Sequence, residues 1–234
     1  MSVVLVFLLV IASIVTWWLS HQRLMAKPWL ELGLEENFVG SVQPVLPTAK
    51  VGLGVFLAVV GCLFALFASA YFMRMGLADW QPLKLPRFLW LNTCALVVGS
   101  VALQCALVAA REDQSDLVRL GLAAGGLAGL TFLLGQIVAW RELYAGGYFL
   151  TANPANSFFY LITGLHGLHI VGGLMGLGRT IAGAWGAGAR GGSVLSVELC
   201  AMYWHFLLFI WLAIFVLLTG WAAEFIEICS QLLS

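Results

Sequence analysis

The sequence predicts an all-α membrane protein with six transmembrane helices. Hydrophobic residues make up 62% of the 234 positions and charged residues only 9%, whereas a soluble domain is roughly a quarter charged. Six stretches contain no Asp, Glu, Lys or Arg, and they approach or exceed the ~20 mainly apolar residues that a membrane-spanning helix needs. The predicted spans are 3–19, 51–73, 88–110, 120–140, 158–178 and 199–223.

The first span differs from the other five in its setting. It is short, and Trp17 and Trp18 at its end resemble an interfacial aromatic belt. No basic residue precedes it and no small-residue cleavage pattern follows it, so we expect a retained helix rather than a cleaved signal peptide. The chain is therefore expected to comprise residues 1–50, with one helix and a polar linker, and residues 51–234, with a core of five helices.

The charged residues indicate an orientation in the membrane and not a charged partner. Eleven basic and eleven acidic residues cancel, which removes the electrostatic case for binding nucleic acid. Basic residues are more frequent in cytoplasmic loops. If the loops after the first, third and fifth spans are inside, they hold seven basic residues against four on the other side, so both termini are expected outside. The inside set is Arg23, Lys27, Lys50, Arg111, Arg119, Arg179 and Arg190.

Glycine recurs at four-residue spacing on two spans. Gly121, Gly125 and Gly129 lie on the fourth span, and Gly172 and Gly176 lie on the fifth. Small residues at this spacing let helix backbones approach closely, which is how membrane helices gain dispersion contacts. We expect these five glycines to line helix contacts. The alternative is that they are scattered without a packing role in a chain that has 26 glycines.

Three histidines lie in or near the membrane. His166 and His169 are three residues apart on the fifth span, a spacing that places both on one helix face, and His205 lies near the start of the sixth span. Imidazole can bind iron, copper or zinc, but two axial haem ligands must lie on opposite sides of the ring, and no span carries a carboxylate for a mixed site. Histidines that fix helix packing or hold a lipid headgroup are the favoured interpretation.

Glu198 extends this set of polar residues. It precedes His205 by seven residues, and positions i and i+7 share a helix face. We therefore expect His166, His169, Glu198 and His205 to form one polar network between the fifth and sixth spans. The alternative for Glu198 is an interfacial carboxylate with water beside it.

The sequence contains no recognisable motif for catalysis. Nucleophile motifs, phosphate-binding loops, dinucleotide fingerprints and HExxH are absent. The cysteines show neither CxxC nor zinc spacing, and four lie in apolar stretches, where a free thiol behaves as a small hydrophobe. They are Cys62, Cys94, Cys105, Cys200 and Cys229. We expect no catalytic residue, no metal ligand and no cofactor-binding residue in this chain.

Several ordered motifs between about residues 51 and 225 resemble subunit III of the haem–copper terminal oxidases, the cytochrome c and quinol oxidase family. They are SAYFMRM from Ser69, LNT from Leu91, WREL from Trp140, FFYLITGLHGLHIVGG from Phe158 and YWHF from Tyr203. Each motif alone is weak, and their joint order and spacing are specific.

The resemblance implies a bundle of five core helices, to which some members add two at the N-terminus. It also implies an accessory, non-catalytic subunit that binds no redox centre and holds phospholipid in a cleft. Such a subunit packs beside catalytic subunit I, which carries the haem and copper. The implied function is to stabilise subunit I and support proton uptake during oxygen reduction in aerobic respiration, in a bacterial inner membrane. The electron donor, cytochrome c or quinol, stays open.

This chain departs from the family pattern at two positions. The family usually carries a buried glutamate eleven residues before the tyrosine of SAY, where Val60 stands here. The motif YWHF is usually followed by Val-Asp, and Leu208 stands in place of that aspartate. A proton role that depends on these two carboxylates is therefore not supported. One predicted N-terminal helix also stands in place of two.

Three other functions stay open at the level of sequence. The first is the related subunit of a nitric oxide reductase-type complex, which shares the core pattern. The second is a standalone transporter, which would predict inverted repeats and broken helices; the sequence shows neither. The third is a haem-binding electron carrier, which an optical spectrum of the isolated chain would reveal.

Overall fold

The computed structural model describes residues 47–81, 83, 85–185 and 194–220, together with Ser13. The predicted first span, most of its linker, Pro82, Lys84, residues 186–193 and residues 221–234 lie outside this part. The described residues include five helices. They are α1 (Thr48–Met75), α2 (Phe88–Arg111), α3 (Ser115–Ala145), α4 (Pro154–Trp185) and α5 (Val194–Leu218).

The five helices coincide with the second to sixth predicted spans, and each is long and apolar enough to cross a membrane. The predicted all-helical membrane class is therefore confirmed for the described residues. The prediction of a sixth helix at residues 3–19, and of a separate N-terminal region, stays a prediction because those residues lie outside the described part.

Two helices extend beyond the predicted spans. The fifth predicted span ends at residue 178, but α4 continues to Trp185. Ala184 is fully buried, and its carbonyl accepts a hydrogen bond of 3.1 Å from Nε of Arg119 on α3, so packing stabilises this last turn. The sixth predicted span begins at residue 199, but α5 begins at Val194, so Glu198 lies in its second turn.

Two connections are short because the chain reverses at the end of a helix. After α3, Gly147 adopts φ +83°, and the amides of Gly147 and Tyr148 donate to the carbonyls of Tyr144 and Leu143. This is the Schellman pattern, in which a left-handed residue lets orphan carbonyls be satisfied. After α2, Asp113 takes the same role with φ 56°. It is a residue type that tolerates the left-handed region better than most.

Asn153 fixes the start of α4 and joins two loops of the chain. Its Oδ1 accepts a hydrogen bond from the amide of Ala155, and Pro154 occupies the first helical position, where no amide donor is needed. The Asn153 amide nitrogen also donates to the carbonyl of Gln81 at 2.6 Å. The loop after α1 and the loop after α3 are therefore held together.

An exposed ion pair lies at the C-terminal end of α1. The Arg74 guanidinium donates to both carboxylate oxygens of Asp79. This contact holds the pKa of the Asp79 carboxyl below its ordinary value of 3.8.

Helices α2 and α3 form the most extensive contact in the bundle, and α5 packs against α1, α2 and α4. Helix α1 packs on α4 and α5 and buries little of its surface. The described core is therefore centred on α2 to α5, with α1 at its edge.

The glycines of α3 lie where the neighbouring helices approach most closely. A Cβ placed on Gly121 would lie 2.7 Å from the Cβ of Ala106 and 2.8 Å from the carbonyl oxygen of Ala102, both on α2. A Cβ on Gly125 would lie 2.7 Å from Cγ of Leu103, and one on Gly129 would overlap the Trp204 ring. All three fall below normal contact distances, so these contacts need a residue without a side chain.

The two predicted glycines of α4 are placed differently. Gly172 would bring a Cβ only to 3.8 Å from the Tyr203 hydroxyl, and Gly176 would meet nothing within 4 Å. The close approach on this helix is made by Gly173, whose Cβ would lie 2.7 Å from the Tyr203 ring. Gly176 therefore does not line a close helix contact, because that side of α4 opens onto a groove.

We predict that Gly121→Ala and Gly176→Ala have opposite effects on stability. Gly121→Ala places a methyl group against backbone and a rigid methyl, so we expect a loss of roughly 1–3 kcal/mol. Gly176→Ala meets open space and removes a helix-interior glycine, so we expect a neutral effect or a gain of up to ~1 kcal/mol. Denaturation of the purified protein in detergent measures both. Equal losses in the two variants would contradict the assigned packing.

Candidate functional site

His166 lies at the centre of the bundle, fully buried, among aromatic rings from three other helices. Its ring centroid is 6.2 Å from that of Phe64 on α1, 5.6 Å from Phe132 on α3 and 5.2 Å from Trp211 on α5. Neither ring nitrogen has a hydrogen-bond partner among the described residues, and both are shielded from solvent. His166 therefore fills the space where four helices meet, and its contacts are those of an aromatic core residue.

A hydrogen-bonded pair beneath this cluster fixes the position of Trp211. The indole Nε1–H donates to Oγ1 of Thr93 at 2.9 Å, and the Thr93 hydroxyl donates to the carbonyl of Leu89 at 3.0 Å. Trp211 is wholly buried. A buried N–H that lost this acceptor would cost ~1–3 kcal/mol, so Thr93 holds the ring that packs on His166.

His169 belongs to the same region but makes different contacts. Its Nδ1–H donates to the carbonyl of Leu165 at 2.8 Å, and its ring lies 5.5 Å from that of Phe64. The Tyr203 hydroxyl donates to the His169 carbonyl at 2.9 Å. His166 and His169 therefore share Phe64 as a neighbour, and His169 links α4 to α5 through its backbone.

His205 faces α2 and not the two histidines of α4. Its Nδ1 lies 2.5 Å from Oγ of Ser100, and its Nε2 lies 3.0 Å from Oε1 of Gln104. Two residues earlier on α5, Tyr203 contacts α4. Because each residue turns a helix by about 100°, His205 lies roughly 200° around α5 from Tyr203.

Glu198 forms an ionic contact between three helices. Its Oε1 lies 2.7 Å from Nζ of Lys50 at the start of α1 and 3.8 Å from Arg111 at the end of α2. Lys50 and Glu198 lie in the first two turns of their helices and Arg111 ends α2, so this contact joins three helices near their ends.

The predicted single network of His166, His169, Glu198 and His205 is therefore not present as such. No hydrogen bond among the described residues joins any two of these side chains. The structure places them in three groups: the aromatic core with both histidines of α4, the His205 contact with α2, and the Glu198 ionic contact. The physical reason is that Glu198 and His205 both contact α2 but lie about 10 Å apart along α5, while α4 packs on a different side of α5, where Tyr203 contacts it.

An apolar groove of about 410 Å³ opens between α1, α4 and α5. Near one end, the Thr180 hydroxyl lies 3.2 Å from the Cys200 thiol, and the Tyr203 ring forms part of one wall. Sequence reasoning did not identify this groove, although Gly172 and Gly176, which lack a side chain, were the pattern that could have indicated it. The lining residues are Leu53, Phe56, Gly172, Gly173, Gly176, Thr180, Ser196, Leu199, Cys200, Tyr203 and Trp204.

The two positions that depart from the family pattern both pack against the core. Val60 is buried, with 3% of its surface exposed, and Leu208 is partly buried. Their apolar side chains suit these positions, since an unpaired carboxylate at either would be costly. Sequence reasoning also missed Ser100 and Gln104, because a single Ser and Gln in a span carry no motif.

The comparisons with known proteins agree with the motifs in the sequence. The model of a family described as cytochrome c oxidase subunit III matches residues 2–223. The probable cytochrome c oxidase subunit 3 of Mycobacterium tuberculosis is 31% identical over 163 residues, which cover 67% of this chain and 77% of the relative. Cytochrome c oxidase subunit 3 of Synechocystis sp. is 28% identical, covering 71% of this chain and 72% of the relative. The corresponding protein of Oryctolagus cuniculus is 24% identical, covering 83% and 78%.

We predict that the shape of residue 166 matters more than its nitrogens. His166→Phe keeps an aromatic ring and removes two unpartnered nitrogens, so we expect a change within about 1.5 kcal/mol of the parent protein. His166→Ala leaves a cavity among Phe64, Phe132 and Trp211 and should cost roughly 2–4 kcal/mol.

Denaturation in detergent measures this difference in stability. An optical spectrum of each variant measures any haem absorption. A His166→Phe variant as unstable as His166→Ala would show that the nitrogens have a partner. A haem absorption that disappears in both variants would assign the histidine to a redox centre.

Proposed function

This chain belongs to the cytochrome c oxidase subunit III family, and we propose that it is an accessory, non-catalytic subunit of a respiratory haem–copper oxidase. In this role it stabilises the catalytic subunit and supports proton uptake during the reduction of oxygen. The family match, which covers residues 2–223, is the observation that carries the proposal.

The character of the described polar residues supports an accessory role. Thr93, Ser100 and Glu198 bond to residues of this chain across helix contacts, and His166 is enclosed by rings. They hold helices to one another, which is what a stabilising subunit requires. Haem and copper, on this proposal, belong to the catalytic subunit I that this chain packs against, and this chain contributes no ligand to them.

The proposal extends to the membrane and the orientation. Its five described helices make the chain an integral membrane protein, and we propose a bacterial inner membrane with both termini on the periplasmic side. The basic residues Lys50, Arg111 and Arg119 then lie on the cytoplasmic side, as the positive-inside tendency favours. A sixth helix at residues 3–19 completes this arrangement. Neither the relatives nor the described helices favour a nitric oxide reductase-type complex or a transporter.

The groove between α1, α4 and α5 is the proposed lipid site. Its walls are mainly apolar, and Gly172 and Gly176 leave room along α4 for a hydrocarbon chain. The ionic contact of Glu198 with Lys50 and Arg111 lies toward the same end of the bundle. A phospholipid acyl chain in the groove would place its headgroup near these charges.

The assembly is tested by affinity purification of the tagged full-length chain from native membranes solubilised in a mild detergent. We expect a haem–copper catalytic subunit to co-purify, with haem absorption in the complex. Deletion of the chain should lower both the recovery of the catalytic subunit and the rate of oxygen reduction per haem. Unchanged recovery and rate, with no oxidase subunit in the eluate, would refute the proposal.

The lipid site is tested by filling the groove. We expect Gly176→Phe to reduce the phospholipid that co-purifies with the complex, because the ring would occupy the space of the acyl chain. Gly183→Phe is the matched control, since Gly183 also lies on α4 with open space around it but does not line the groove. Lipid extraction followed by mass spectrometry measures the bound lipid. Equal lipid in the two variants would place the lipid elsewhere.

A further inference from the structure

Helices α2 and α5 together present an outward surface that we call the α2–α5 face. On each helix its residues recur every three or four positions, so they form one continuous strip. The strip is apolar except at its middle, where Gln104 and His205 lie. Its residues are Val97, Val101, Gln104 and Val108 on α2, and Met202, His205, Phe209 and Leu212 on α5.

A chain of hydrogen bonds runs outward through this face. Ser100 is buried, His205 is half-buried and Gln104 is exposed. In one arrangement the Ser100 hydroxyl donates to Nδ1 of His205, and Nε2–H of His205 donates to Oε1 of Gln104. The amide nitrogen of Gln104 then has two N–H donors without a partner among the described residues. If the amide is turned the other way, its oxygen is left instead.

The position of Gln104 along the helix makes this free amide end costly. Gln104 lies seven residues before the end of α2 at Arg111, about 10 Å along the axis at 1.5 Å per residue. His205 lies eleven residues into α5, about 16 Å from its start. The hydrocarbon core is ~30 Å thick, so both side chains lie at hydrocarbon depth. Lipid tails offer no hydrogen-bonding group there.

The outward side of α3 shows what a lipid-facing surface of this chain looks like. Leu127, Leu130 and Leu134 are exposed there, and the one hydroxyl among them, on Thr131, donates to the carbonyl of Leu127 on its own helix. No side-chain polar group of that strip is left for an outside partner. The α2–α5 face differs, because the Gln104 amide at its middle is exposed and keeps one end without a partner among the described residues.

We propose that the α2–α5 face is the surface that docks on a transmembrane helix of another oxidase subunit. That helix presents a polar side chain, an oxygen acceptor or an amide, to the free end of Gln104. The surrounding valines, Met202 and Phe209 supply the apolar contact, and His205 and Ser100 hold the Gln104 amide in place. This inference rests on the proposed function and adds to it the face and the chemistry of the contact.

Photo-crosslinking in native membranes tests the face directly. The residue p-benzoylphenylalanine is placed at Val101 or Phe209, which are 58% and 67% exposed on the α2–α5 face. The matched controls are Leu127 and Leu134, which are 68% and 65% exposed on α3. We expect an adduct with another oxidase subunit from the first pair and none from the second. Adducts only with lipid, only with a second copy of this chain, or only from α3 would overturn the inference.

A substitution at the polar centre tests the chemistry. We expect Gln104→Leu to lower the amount of chain retained on the solubilised complex by roughly threefold to tenfold, the range typical of an interhelical hydrogen bond. Thr131→Val, which removes an exposed hydroxyl bonded to its own helix, should leave retention unchanged. Each variant's level in the membrane before solubilisation reports folding, and retention is expressed relative to that level. Equal retention of the two variants would refute the role of Gln104.

The proposed function and this inference fail in distinguishable ways. If the parent chain co-purifies with the catalytic subunit but the α2–α5 face gives no subunit adduct, the docking face is wrong and the proposed function stands. If the parent chain co-purifies with no oxidase subunit at all, the proposed function fails first.

Discussion

A membrane interior offers no water, so a polar group at that depth is costly unless another group of the protein satisfies it. The threonine hydroxyls of the spans show the simplest solution. Thr93, Thr131, Thr163 and Thr180 each donate to the carbonyl four residues earlier on their own helix. Two of them then accept a hydrogen bond from a tryptophan N–H of another helix, Thr93 from Trp211 and Thr163 from Trp140. The same constraint is the reason for proposing an outside partner for the exposed amide of Gln104 on α2.

Helix association in this chain combines close backbone approach with aromatic filling. Glycines on α3 admit α2 and the ring of Trp204, while His166, Phe132 and Trp211 fill the centre where four helices meet. Dispersion contacts of this kind drive helix packing in membranes, since apolar burial offers little difference between lipid and protein. The histidine pair that first suggests a metal site therefore lies in the packed centre of the scaffold.

Sequence reasoning was most successful where hydropathy alone decides the outcome. It identified the five described helices, because a span must be apolar along its whole length, and also the glycine repeat of α3. It was least successful where the direction of a side chain matters. His205 and Glu198 were expected in one network with His166 and His169, and the structure divides them between α2, the ionic contact and the core. The continuation of α4 to Trp185 also depended on burial of Ala184 against α3, which no local pattern reports.

The sequence by itself determined that this chain is a helical membrane protein of the subunit III family, because length, apolar composition and ordered motifs are properties of the chain read in one dimension. Only the tertiary structure decided which helices meet, that a groove opens beside Gly176, and that Gln104 faces outward next to His205. The physical reason is that the sequence of a helix does not state which of its faces contacts which neighbouring helix. The rotation and neighbours of each helix are set by packing against the others, and those contacts join residues far apart in the chain.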